Sequence, residues 1–151
     1  MTNYFLFSPY DDIEARLVTE ISAAEYFLYG ILNMYQSEPI HNALCARAAA
    51  GCDMQLIFDP HQQFLANPRL DELQAAGAVV YLDKHERSIQ SQYLVYYPHR
   101  IATGRHLFTY THDLIYASDA LIETNIPAED FYEADFFYHL EHSTPYEPTG
   151  L

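Results

Sequence analysis

The sequence predicts an α/β domain, a mixed β-sheet flanked by helices on both faces. Strand-like and helix-like segments alternate from residue 4 to residue 82, the order expected of a sheet with crossover helices. Residues 26–32 (YFLYGIL) form a near-continuous apolar run of strand length, as a central strand covered on both sides requires. Residues 93–97 and 100–103 form two further strands around a tight Pro98-His99 connection, which adds an antiparallel hairpin.

The elements follow in order. Residues 4–8 are a short aromatic strand ended by Pro9. Asp11 or Asp12 can cap the helix that follows, whose apolar stripe is Ile13, Leu17, Val18, Ile21 and Ala24. After the central strand, Ser37-Glu38-Pro39 opens a second helix, with proline early, where its missing N–H costs little. Ile40, Ala43 and Leu44 face inward and Gly51 supplies the stop. Residues 54–58 are the next strand, ended by Asp59-Pro60, and a loop over 61–68 leads to a short helix over 69–76. Gly77 ends that helix and the chain returns as a strand at 79–82. Beyond the hairpin come a last strand at 120–124 and a last helix at 128–142. Residues 1–142 are thus expected to form a single domain, with 143–151 a loose C-terminal tail carrying two prolines.

Charge narrows the function. Seven Lys and Arg face 21 Asp and Glu, a formal charge of −14. Lys84 is the sole lysine, and from His106 onward nine carboxylates accumulate without one Lys or Arg. Nucleic-acid binding draws its affinity from phosphates neutralised by cations, so a nucleic-acid partner is not expected. An anionic membrane surface is disfavoured on the same ground, and no apolar stretch approaches the ~20 residues that span a bilayer. The N-terminus has no basic region or long apolar run, so a cytoplasmic location is the expectation. Such acidity either keeps a protein dispersed or meets a basic protein partner. Cys45 and Cys52 are expected as free, buried thiols, since no metal-type cluster accompanies them. No metal and no cofactor is implied.

The stretch QSQYLVYYPHRIATGRHLFT (90–109) carries the chemistry, or its absence. Its spacing resembles the signature of the phospholipase D superfamily: a His, one residue, a Lys, four residues, then an Asp. Here those places hold Gln90, Gln92 and Tyr97. Thr103-Gly104 and Phe108-Thr109 are similar to the family's continuation, and so, in order, are Phe7-Ser8-Pro9, SEPIHNAL (37–44) and AAAGCDMQLIFD (48–59). The resemblance is to the small single-domain, nuclease-like branch and covers residues 4–142. It implies a phospholipase D-like fold and an isologous homodimer with the site at the interface. In that family the His forms a phospho-enzyme, a second His protonates the leaving group, the Lys binds phosphate and the Asp orients the His, without a metal.

The substitutions remove that chemistry. An amide at Gln90 has no usable nucleophilic nitrogen and exchanges no proton near neutral pH. Gln92 brings no positive charge to a phosphoryl transition state. Tyr97 is no carboxylate. The sequence therefore predicts a catalytically inactive protein that acts by protein binding, with an inhibitor or immunity protein of a basic nuclease toxin as a subclass drawn from charge. The competing expectation is a divergent hydrolase using His85, His99 or His106 near the degenerate site, and a third is a structural dimeric subunit. His41, His61 and the one-turn pair His139 and His142 are weaker candidates. The last helix interleaves Phe131, Tyr132, Phe136, Phe137 and Tyr138 with Glu129, Asp130, Glu133 and Asp135. One aromatic stripe docks the helix, and Glu129, Asp130, Tyr132, Glu133 and Asp135 are the candidate protein-binding residues, since Tyr with carboxylates suits interfaces.

Overall fold

The structure, a computed structural model, describes residues 3–8, 10–33, 35–60, 67–84, 91–105, 108 and 119–148. Its elements are β1 (Tyr4–Phe7), α1 (Ile13–Ala23), β2 (Glu25–Leu32), α2 (Glu38–Ala49), β3 (Asp53–Phe58), α3 (Asn67–Ala76), β4 (Val79–Asp83), β5 (Tyr93–Tyr97), β6 (Arg100–Gly104), β7 (Asp119–Thr124), α4 (Ile126–Glu141) and β8 (Ser143–Pro145). One mixed sheet runs in the order β1-β7-β6-β5-β2-β3-β4-β8. The three central strands β2, β3 and β4 are parallel to one another, and the flanking pairs are antiparallel.

Three helix starts rest on the same device. Asp12, Ser37 and Asn125 each accept from a backbone N–H three residues on, at 2.9, 3.2 and 2.9 Å, which satisfies a donor the helix leaves unpaired. Pro39 and Pro127 sit just inside α2 and α4, where proline is tolerated. The last helix therefore begins two residues before the expected 128.

Both faces of the central sheet are covered. On one, Ile13, Leu17 and Ile21 of α1, Ile40 and Leu44 of α2, and Leu70 and Leu73 of α3 pack on Leu28, Met54, Leu56, Phe58, Val80 and Leu94. On the other, Phe136 of α4 lies over Ile31, Ile57 and Tyr93, with Tyr132 and Leu140 beside it. Positions 132, 136 and 140 are one helix stripe, so the aromatic stripe does dock α4. Phe131 and Tyr138 stay outside it, 77% and 54% exposed.

The β5–β6 hairpin turns at Pro98-His99 as expected, and His99 takes a positive φ of 59°. The turn is clamped to the start of α4: Asn125 N–H donates to the His99 carbonyl at 2.9 Å, and the His99 Nδ1 meets Glu129 Oε2. At the other end of β6, Gly104 has no room for a side chain, since a Cβ would collide with the Asp119 carbonyl and lie 2.9 Å from the Ala120 Cα. Close pairing of β6 with β7 thus requires glycine there.

The expected loose tail is corrected in its first part. Ser143–Pro145 adds β8 to the β4 edge, pairing antiparallel from Asp83↔Ser143 to Tyr81↔Pro145. Tyr146 follows it into the core at 7% exposure, its N–H on the Val80 carbonyl at 2.8 Å and its hydroxyl on Asp71 at 2.8 Å. Residues 149–151 lie outside the described residues.

Candidate functional site

Gln92 immediately precedes β5 and lines a cleft of about 390 Å³ between the start of β5, the end of β6 and the middle of α4. The other walls are Ser91, Tyr93, Thr103, Phe131, Tyr132 and Asp135. Register explains the meeting: Tyr93 pairs with Thr103 across the hairpin, while α4 crosses above and presents Phe131, Tyr132 and Asp135.

The polar side chains of Tyr93 and Asp135 are tied together in the cleft, with an exception beside them at Gln92. The Tyr93 hydroxyl donates to Asp135 Oδ2 at 2.8 Å, and the Tyr93 and Tyr132 rings meet edge to face with centroids 4.9 Å apart. Burial, then the hydrogen bond and charge of Asp135, raise the Tyr93 pKa far above that of a free tyrosine, so the hydroxyl stays a donor. Burial also raises Tyr132, with Glu123 and Asp135 adding to it. Asp135 Oδ1 lies 3.6 Å from His139 Nε2, and the Asp135 side chain keeps 46% exposure. Gln92 Oε1 is the exception: it is buried and has no hydrogen-bond partner, which carries a desolvation cost of about 1–3 kcal/mol.

Of the three motif positions, the two that are described, Gln92 and Tyr97, do not come together within one chain. Gln90 lies outside the described residues. Gln92 is in the cleft, but Tyr97 ends β5 at its opposite end, about 17 Å away at the rise of an extended strand. Tyr97 instead joins an aromatic group, its ring centroid 4.7 Å from that of Tyr26 and 6.5 Å from that of Phe27. Both neighbours reach it because β2 shifts register between Glu25 and Leu28, where Tyr26 adopts a φ of 63°.

Of the candidate histidines near the motif, the structure describes His99 alone. His99 sits at the hairpin turn with Glu129, at the Tyr97 end and away from Gln92. His85, His106 and His61 lie outside the described residues. His41 is buried between Tyr35, whose hydroxyl is 2.6 Å from Nδ1, and Glu72, whose carboxylate is 2.9 Å from Nε2. That arrangement ties the chain before α2 to α3. Cys45 Sγ is 3.7 Å from the same Nε2, and burial followed by the Glu72 charge raises the thiol pKa, the reverse of nucleophile activation. Cys45 and Cys52 are both free; Cys52 is buried and Cys45 half-buried. His139 and His142 assemble no metal site, and no cluster of three ligating side chains occurs among the described residues.

The five candidate binding residues of α4 divide in three. Tyr132 and Asp135 belong to the cleft. Glu129 is buried and spent on His99. Asp130 is exposed and Glu133 half-buried beside them, the latter with its pKa raised by burial and by the charges of Glu129 and Asp130. Ser91, Thr103 and the walls Tyr93 and Phe131 complete the cleft without having been assigned to a site from sequence. For Tyr93 and Phe131 the signal is the surplus of aromatics in the hairpin and last helix, for Thr103 it is the Thr103-Gly104 pair, and Ser91 carries none.

No family model matches the chain, and no curated protein matches it in sequence. Solved structures do match. Nuc from Salmonella typhimurium, a phospholipase D family member, superposes with a TM-score of 0.86 at 13% identity, covering 97% of this chain and 98% of that one. NucT from Helicobacter pylori gives 0.81 at 14% identity over 96% and 99%. A polyphosphate kinase from Porphyromonas gingivalis gives 0.72 at 15% identity, covering 98% of this chain and 27% of its own.

Proposed function

We propose that this protein, whose fold is that of the phospholipase D superfamily, is not a phosphodiesterase but a binding protein for a basic protein partner. The observation that carries the reading is the cleft beside Gln92. Where the motif's spacing puts a phosphate-binding lysine stands a neutral amide, and among the described residues the charged wall is the Asp135 carboxylate. A phosphodiester entering there would meet repulsion where its transition state needs positive charge. Gln90, at the nucleophile's place, offers an amide without a basic nitrogen.

The charge of −14 supports a basic partner, because complementary fields speed encounter and make it salt-dependent. An inhibitor or immunity protein that covers the basic groove of a nuclease is the subclass we favour. A homodimer, the assembly implied by the resemblance, is proposed as its working form. Light scattering on the eluted protein tests it, and a strictly monomeric mass removes it.

The central test is hydrolysis of a generic phosphodiester by the pure protein, with and without chelator, beside the variant Gln90→His, Gln92→Lys. The expected result is a silent wild type. Turnover by the wild type that survives chromatography to constant specific activity overturns the reading.

A further inference from the structure

We infer that the cleft at Gln92 is a receptor for a cationic side chain, an arginine of the basic protein partner. The inference rests on the binding reading above and supplies its point of contact. Where the motif's spacing puts a cation, the described lining carries an anion. Among the described residues no Lys or Arg lines the cleft. The described lining carries the Asp135 carboxylate and the rings of Tyr93, Phe131 and Tyr132.

Each wall suits a guanidinium. Asp135 accepts from Tyr93 through Oδ2 and faces His139 Nε2 at 3.6 Å through Oδ1, and its half-exposed carboxylate keeps further lone pairs for a charge-assisted bond. Phe131, 77% exposed at the rim, offers a ring face on which a planar cation stacks. Gln92 Oε1, buried and unpaired, is an acceptor waiting for a donor, and the broad terminal torsion of a glutamine lets the amide turn toward one. A guanidinium carries five donors in a fixed fork, enough to serve the carboxylate and the amide oxygen together. An ammonium presents a compact, strongly hydrated charge with less match to flat walls.

The test is a titration of the whole protein with N-acetyl-arginine amide, followed by backbone amide NMR shifts of Gln92, Tyr93, Thr103 and Tyr132, with the uncharged N-acetyl-citrulline amide as control. Saturable shifts with the arginine probe are expected, with citrulline at least about tenfold weaker. Asp135→Asn keeps an oxygen for the Tyr93 hydroxyl and should weaken arginine about tenfold, the order of one charge-assisted bond. Gln92→Lys, which places a cation in the cleft, should abolish binding. No saturable shift, equal response to citrulline, or indifference to Asp135→Asn overturns the inference. The hydrolysis assay separates the two claims: a silent wild type with an unresponsive cleft removes only the arginine receptor, whereas phosphodiester turnover removes the reading beneath it.

Discussion

Glu20 Oε1 receives two N–H bonds from the Arg100 guanidinium, from Nη2 at 2.6 Å and from Nε at 3.1 Å, with side-chain exposures of 13% and 5%. The Tyr96 hydroxyl donates to the same oxygen at 2.7 Å, and Arg100 Nη1 donates to Thr124 Oγ1 at 3.1 Å. One carboxylate of α1 thereby fastens β5, β6 and β7 to the helix layer.

Removing one partner strands the other charge out of water. Arg100→Met should cost about 3–5 kcal/mol of unfolding free energy, read by urea denaturation, because a buried ion without its counterpart pays its full desolvation. Adding Glu20→Gln to Arg100→Met should return a substantial part of that loss. A single-variant cost below about 1 kcal/mol would mean that water reaches the pair.

Alkali should weaken the fold through its buried and half-buried tyrosines. Burial first, then Asp53, holds the Tyr29 pKa up at about 12, and burial with Glu20 or Asp135 raises Tyr96 and Tyr93 further. A folded pKa above the unfolded one, about 10 for tyrosine, means the unfolded chain ionises first. Stability from these groups is therefore fully present below pH 10 and declines as pH climbs from there through 12. Denaturant midpoints measured across that range should fall, and tyrosinate absorbance should rise in two stages, exposed rings first and buried ones with unfolding. A single unfolded-like titration curve with no loss of midpoint would contradict the raised pKa of these hydroxyls.

Position 97 should be dispensable for any phosphodiesterase chemistry introduced at positions 90 and 92. Tyr97 stands the length of β5 from Gln92 and is engaged with Tyr26 and Phe27. If Gln90→His, Gln92→Lys gains phosphodiesterase activity, adding Tyr97→Asp should change kcat/KM by less than about threefold, since a 1 Å misplacement already matters and about 17 Å is out of reach. A further rise of tenfold or more would show that the two ends of the hairpin communicate, for example across a dimer.

How much was legible in the sequence follows from how local each signal is. Ser37-Glu38-Pro39 announced α2 because its cap and proline act within one turn. Asn125-Ile126-Pro127 carries the same pattern, and reading it would have started α4 at the right residue. The run over 26–32 gave a doubly covered strand because both faces of β2 are packed. The cleft was less legible. Tyr93 and Asp135 meet only because β5 and α4 cross, 42 positions apart in the chain, and no spacing rule reaches that far. Gln92 stands out in the sequence by its place in the motif's spacing, while its unpaired oxygen is a property of packing.

The segment after α4 was hardest to read, and it yields the sharpest stability test. Ser143, Thr144 and Pro145 show no alternation, and β8 is a strand because the β4 edge offers unpaired backbone groups beside it. Tyr146 then closes the edge: its ring enters the main core, its hydroxyl bonds Asp71, and its carbonyl accepts from Gln74 Nε2 at 2.8 Å. Tyr146→Phe removes the hydroxyl alone and should cost about 1 kcal/mol, the net worth of one such bond. Tyr146→Ala also empties the core beneath α3 and should cost about 3–5 kcal/mol, as large aromatic truncations do. Urea unfolding of the pair reads both. Equal costs would assign the docking to the hydrogen bond, whereas the expected gap of at least about 2 kcal/mol assigns it to the buried ring.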